Sequence, residues 1–216
     1  MEEKTNHLKC ILFDPSALGL FGLAIITLDA SLQKLELTSG IAGILPWAIF
    51  LGAFAQLVAG IYDAKHNNLF GATAFFAYGF FWLGVGMTWL ITNGILGTTL
   101  QEGFDARQLA VAYIGYLVFT LIMTVGATET NTVLFVIFCL IDVLFIGLAL
   151  STLGIGVPFT HTLAALAELA IAIASFYGVA ANILNKHFER VMIPVGKPFG
   201  IFKKAPARHS TQKVMV

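Results

Sequence analysis

The chain has 216 residues, of which 58% are hydrophobic and 11% charged, and its twelve Lys and Arg balance twelve Asp and Glu. No soluble core of this size absorbs so much apolar surface, so the composition points to a bilayer. Zero net charge leaves no basic field for nucleic acid, and two cysteines, Cys10 and Cys139, make neither a disulfide framework nor a metal site.

In chain order, residues 1–14 form a polar, mixed-charge leader with no small-residue cleavage pattern behind it, which reads as a cytoplasmic segment and not a signal peptide. Charge-poor runs then occupy residues 15–33, 39–62, 69–95, 108–128, 131–153 and 160–185. Each has about the 20 residues that a helix rising ~1.5 Å per residue needs to cross ~30 Å of hydrocarbon. The expectation is an all-α membrane protein with a six-helix transmembrane domain over residues 15–196 and both termini on one face. Residues 197–216 are polar, basic and aperiodic, and are expected to be a disordered tail.

Within the spans, small residues recur every four positions at Ala48 and Gly52, Ala55 and Ala59, and Ala170, Ala174 and Gly178. Such stripes let helix backbones pack closely. The third span is aromatic, and among its rings Tyr78 combines a hydroxyl that needs a partner with a body able to narrow a passage. Thr27, Gln56, Thr73, Thr88 and Asn182 lie in or near the spans, where Ser and Thr often bond back to their own helix. His161 is the one histidine within a span, and its place at the outer end of the sixth predicts an interfacial or capping role.

Assigning the loops alternately to two faces puts Lys4, Lys9, Lys65, Lys186, Arg190, Lys197, Lys203, Lys204, Arg208 and Lys213 on one side and only Lys34 and Arg107 on the other. The positive-inside rule makes the first side cytoplasmic and the protein a multi-pass resident of the plasma or inner membrane. No Lys or Arg is expected inside a span. There is also no P-loop, dinucleotide-binding glycine pattern, HExxH or nucleophile elbow, so no cofactor, metal or enzyme chemistry is expected.

Three carboxylates interrupt the spans: Asp29, Asp142 and Glu168. Acids at such depth are expensive and face a cavity or a partner by default, which makes them candidates for a proton-linked role. Counted along the helices, Asp142 lies near mid-bilayer and Glu168 about 12 Å from the outer end, so the two are expected to meet at similar depth. Asp29, about 21 Å from the inner end, also has an adequate explanation in snorkelling or a loop contact.

The segment Asp14-Pro-Ser-Ala-Leu-Gly-Leu resembles the Asn-Pro-Ala-Pro-Leu-Gly-Leu signature of the AceTr family, the acetate and succinate-acetate permeases of microbes. Phe70-Gly71-Ala72-Thr73-Ala74-Phe75 with Tyr78-Gly79 and Phe81-Trp82 is similar to its third-helix block. Leu184-Asn185, Phe188, Arg190 and Ile193-Pro194-Val195-Gly196 are similar to its C-terminal one. The resemblance implies a ring-like homo-hexamer in which each protomer has its own path for acetate and related small carboxylates, possible succinate included. It implies a hydrophobic constriction at Leu23, Tyr78 and Ile141, with Leu23 where the family usually has Phe. It implies substrate contacts at Asp14, Thr27 and Thr73. Asp14 and Ala17 depart from the signature, and an ionised Asp accepts a hydrogen bond but donates none.

A carboxylate substrate has an acidity near the ~4.3 of Glu and is almost wholly anionic at neutral pH. A dry neck without a cation therefore calls either for helix N-termini and hydroxyls around the anion or for a proton carried with it through Asp142 or Glu168. A pore for small neutral solutes (water, ammonia, urea) is the alternative that a cation-free aromatic neck also permits. A membrane sensor that binds a carboxylate without moving it is a third reading, against which the short loops count.

Overall fold

The structure, a computed structural model, describes residues 14–202. The expected leader up to residue 13 and the tail from residue 203 lie outside the described residues, and with them Cys10, Lys4, Lys9, Lys203, Lys204, Arg208 and Lys213. Among the described residues the regular structure is helical, with no strand. Six helices are long and apolar enough to span: α1 Ser16–Lys34, α2 Leu45–Lys65, α3 Leu69–Thr92, α4 Ala106–Ala127, α5 Thr132–Thr152 and α6 Val157–His187. The chain is an all-α, multi-pass membrane protein, as its hydropathy ladder indicated.

The boundaries differ where local chemistry intervenes. The second span was expected from residue 39 but starts at Leu45, because Gly40 takes a left-handed φ of 75° and Pro46 falls in the first helical turn, where its missing N–H costs nothing. The starts of α3, α4 and α5 are capped by side chains, with Asn68 accepting from the N–H of Gly71, Asp105 from that of Arg107 and Asn131 from that of Leu134.

The helices close into a ring in chain order. α1 lies against α2 and α6, α5 lies between α4 and α6, and α3 packs on α2. Two contacts depend on glycine. A Cβ at Gly22 would stand 2.3 Å from the Leu51 carbonyl oxygen, and one at Gly147 would stand 2.9 Å from both the Ala164 nitrogen and the Thr160 oxygen, so α1–α2 and α5–α6 meet backbone to backbone. Leu51 belongs to a π-helical stretch, Ala48–Ala55, whose wider turns present that carbonyl to α1. The small-residue stripe expected on the second helix is buried here, with Ala48 and Ala59 fully enclosed.

The backbones of α3 and α4 approach least. Large rings fill that seam: Phe81 stands edge-on to Phe145 at 5.2 Å, Tyr116 stacks on Phe145 at 5.5 Å, and the Tyr116 hydroxyl donates to the Ala77 carbonyl at 2.9 Å. The outer faces carry exposed Phe50, Phe54, Val111, Val118, Ile122 and Val125, an apolar surface suited to the bilayer.

Residues 197–202, which the sequence assigned to the tail, instead return to the bundle. The Phe199 N–H donates to the Thr128 carbonyl at 2.8 Å, the Phe202 N–H donates to Glu129 Oε1 at 3.0 Å, and the Phe199 ring stands 4.9 Å from that of Phe135. Aperiodic sequence hid this because the contacts are made by backbone N–H groups and a single ring, without a repeat. Just before, Asn185 clasps the turn after α6: its amide donates to the Ile193 carbonyl and its oxygen accepts from the N–H groups of Met192 and Ile193.

Candidate functional site

Two cavities lie inside the ring. The larger, about 290 Å³, opens at the end of the bundle where α1, α3 and α5 begin, and is lined by Ser16, Gln56, Asp63, Asn68, Asn131 and Asn182 among apolar neighbours. The smaller, about 20 Å³, is lined by Leu23, Thr27, Tyr78, Phe81, Trp82, Ile141, Leu144, Phe145 and Ile171. A buried water needs roughly 10–15 Å³ of such space, so the second holds little more than one.

Leu23, Tyr78 and Ile141 line both cavities. Three residues from three helices, 55 and 63 positions apart in sequence, thus form the shared wall. Each is under 10% exposed. From the helix starts they lie about 10–14 Å in, near the middle of a ~30 Å layer. The Tyr78 hydroxyl points away from the other two, making a 2.9 Å bond with Thr120 Oγ1 on α4. Thr120 itself donates to the Tyr116 carbonyl, so Tyr78 is the donor between them, and the aromatic ring is what the wall presents.

The other expected contacts are dispersed. Thr27 lines the smaller cavity, but its hydroxyl donates to the Leu23 carbonyl at 2.7 Å, the back-bond typical of helical Thr. Thr73 is half-buried and lines neither cavity. Asp14 caps the Ser16 N–H at 2.9 Å and forms an ion pair with Lys186 at the far end of α6. Its carboxylate ties α1 to α6, while its neighbour Ser16 reaches the cavity.

The three membrane acids line neither cavity. Asp142 and Glu168 do not pair with each other as expected. Asp142 Oδ2 accepts from Thr124 Oγ1 at 2.7 Å between α4 and α5, and its buried Oδ1 has no partner among the described residues. Glu168, 2% exposed, accepts from Lys34 Nζ at 2.9 Å. The expectation that no basic residue enters a span is therefore corrected: the long Lys34 side chain turns inward from the last turn of α1, because a buried carboxylate offers it a partner. Asp29 is half-buried and makes no hydrogen bond among the described residues.

Sequence reasoning missed Asp63. It is 4% exposed, lines the larger cavity, and accepts from Asn68 Nδ2 at 3.1 Å. It fell one residue beyond the expected span, where an acid reads as solvated loop. The available signal was Asn68 three residues before Gly71, an N-cap pattern that places the start of α3 beside Asp63.

The GPR1/FUN34/yaaH family model matches residues 4–197. The chain belongs to this family. That bears out the resemblance carried by the three sequence blocks. The succinate-acetate/proton symporter SatP of Escherichia coli K12 is 33% identical over 187 residues, covering 86% of this chain and 96% of that one. The solved structure of the bacterial acetate channel SatP is similar at a TM-score of 0.80 and 32% identity, over 86% of this chain and 100% of that one. Ammonia transport outward protein 2 of Saccharomyces cerevisiae is 27% identical, over 83% of this chain and 64% of that one.

Proposed function

We propose that this family member carries acetate and related small carboxylates, succinate among them, through a path within each protomer that narrows at Leu23, Tyr78 and Ile141. The observation that carries the reading is the shared wall of the two cavities, supported by likeness to SatP over nearly the whole length of both chains. Protomers assemble as the ring-like hexamer that the family resemblance implies, in the plasma or inner membrane, with the termini cytoplasmic; the excess of Lys and Arg in the loops at that end supports the orientation. Transport, not catalysis, is the activity.

The chemistry follows from the lining. At the larger cavity the N-terminal ends of α1, α3 and α5 converge, each carrying partial positive charge, which favours an anion there without a fixed cation. Ahead lies a wall of alkyl groups and one ring face, where a bare carboxylate loses its water and finds no donor. Passage is thus limited to substrates small enough to cross a short dry neck, either partly hydrated or with a proton. The proton-linked roles assigned to Asp29, Asp142 and Glu168 belong to the second mode. Asp142, one residue after Ile141 and hydrogen-bonded next to the Tyr78–Thr120 pair, is best placed of the three to influence the neck.

Labelled acetate flux into liposomes, with and without an imposed pH gradient, tests the proposal. Saturable flux, inhibited by unlabelled acetate and accelerated by an inward proton gradient, is expected. The second reading, a path for ammonia or another small neutral solute, is favoured by the yeast relative's name. Under it, ammonia would move and acetate would not compete.

A further inference from the structure

Among the residues that line the larger cavity, the one that carries charge is Asp63, and its charge is negative. For a vestibule that receives carboxylates this is the wrong sign. The acid is 4% exposed, it faces the cavity, and its bond among the described residues comes from a neutral amide, Asn68 Nδ2. Among the described residues it forms no salt bridge, and the charge acting on it from the following turn is the His66 imidazole. Lys65 at the end of α2 and His66 in the turn after it are exposed and absent from the cavity lining. Across the mouth, Asp14 just before α1 and Lys186 near the end of α6 engage each other. α3 and α5 bring amides, Asn68 and Asn131, and Glu129 before α5 accepts from the Phe202 N–H.

We propose that Asp63 is the charge filter of the vestibule: ionised, it excludes carboxylate anions, and carrying a proton, it admits them and offers an O–H to the substrate. This rests on the acetate reading above and goes beyond it, because it assigns the pH dependence and the preference for monocarboxylates to the mouth and not to the neck. A narrow cavity with low-dielectric walls concentrates the field of its single charge. At ~10 Å and an effective dielectric near 20, a unit charge repels a monoanion by roughly tenfold in occupancy, and a dianion by the square of that, roughly a hundredfold.

The test is uptake of labelled acetate and succinate by proteoliposomes between pH 5 and 8. Asp63→Asn should raise acetate uptake at pH 7.5 about tenfold and succinate uptake about a hundredfold, and flatten both pH profiles, whereas Asp63→Glu should keep the wild-type profile. An unchanged profile and an unchanged succinate-to-acetate ratio in Asp63→Asn would overturn the filter while leaving the acetate reading standing. Absence of wild-type acetate flux would overturn that reading instead. If the protein then moves methylammonium and Asp63→Asn slows it, the acid attracts cations, and the filter falls as well. Should Asp63→Asn fail to assemble, Asp63→Cys in a Cys10→Ser/Cys139→Ala background gives a second route. Thiolation with a sulfonatoethyl reagent should slow acetate and a trimethylammonioethyl reagent should speed it. Equal effects of the two would refute the charge argument.

Discussion

Breaking the Lys34–Glu168 pair should destabilise the packing of α1 on α6 by several kcal/mol. The pair spans α1 and α6 at 2.9 Å, with the Lys side chain 16% and the Glu side chain 3% exposed. At that separation and an effective dielectric near 20 the attraction is about 6 kcal/mol, offset by several kcal/mol of desolvation per ion. The intact pair therefore contributes little net stability, whereas Lys34→Met leaves a buried carboxylate without its cation, at ~3–5 kcal/mol. For a chain of this length that lowers the melting temperature by on the order of 10 °C. Replacing both ends, Lys34→Met with Glu168→Met, should recover all but about 1 kcal/mol. Thermal unfolding of the purified protein, followed by tryptophan fluorescence and read as a double-mutant cycle, gives the coupling. Strictly additive single effects would refute the structural reading of the pair. So would a Glu168→Gln protein of unchanged stability whose acetate flux had lost its pH dependence, since Glu168 would then be a proton carrier.

At the neck, Tyr78→Phe should keep both rate and size cutoff of substrates and lose about 1 kcal/mol with the Thr120 bond, while Tyr78→Ala and Ile141→Ala should raise the cutoff beyond four-carbon acids in a liposome uptake series. Gly22→Leu should abolish assembly, because its Cβ has nowhere to go against the Leu51 carbonyl, as size-exclusion chromatography in detergent would reveal. Asn185→Ala should cost about 1–3 kcal/mol by removing three hydrogen bonds from the turn after α6, read as a lowered melting temperature. Outside the spans, the Arg107 side chain and then its N–H hold the Asp105 carboxylate below the usual range. A depressed carboxylate stabilises above its unfolded value of ~4 and stops doing so as pH falls through the folded one. The stability difference between wild type and Arg107→Gln should therefore begin to decline below about pH 4, vanish once pH is below the depressed folded value, and shrink in high salt because the pair lies at the surface.

What the amino-acid order made legible is whatever acts through periodicity or local rules. Hydropathy located six spans, since twenty apolar residues in a row have few other uses. Resemblance brought Leu23, Tyr78 and Ile141 together, and the structure gathers those three at one wall. The acids were misjudged for a physical reason: depth can be counted along a helix, but azimuth cannot without its neighbours. Asp142 and Glu168 lie at comparable depth and yet face Thr124 and Lys34 on other helices. Lys34 escaped notice because a flexible stem of four carbons lets a residue at a helix end place its charge well inside. The Asn185 block was visible as a pattern, and its cause emerged only as the clasp it makes with Met192 and Ile193.

The distribution of charge around the path has a consequence for how selectivity is divided. Glu168 is answered by Lys34, Asp14 by Lys186, and Asp142 is turned toward α4, so the neck itself is left without any charge of either sign. A neutral apolar neck discriminates by size and by the cost of dehydration, which differ little between an anion and its isosteric neighbours. It penalises two charges more than one, because the cost of dehydration climbs with charge, but it holds no titratable group that could tune that penalty with pH. Charge selection that responds to pH belongs where a titratable group and water are both present, and on the proposed reading that is the vestibule, where three helix N-termini attract anions and Asp63 opposes them. The proposed sites of size selection, Tyr78, and of charge selection, Asp63, are separated by about 15 residues of one hairpin. Substitutions at the two places should consequently act independently, and an Asp63→Asn/Ile141→Ala protein should show the product of the two single effects on succinate uptake.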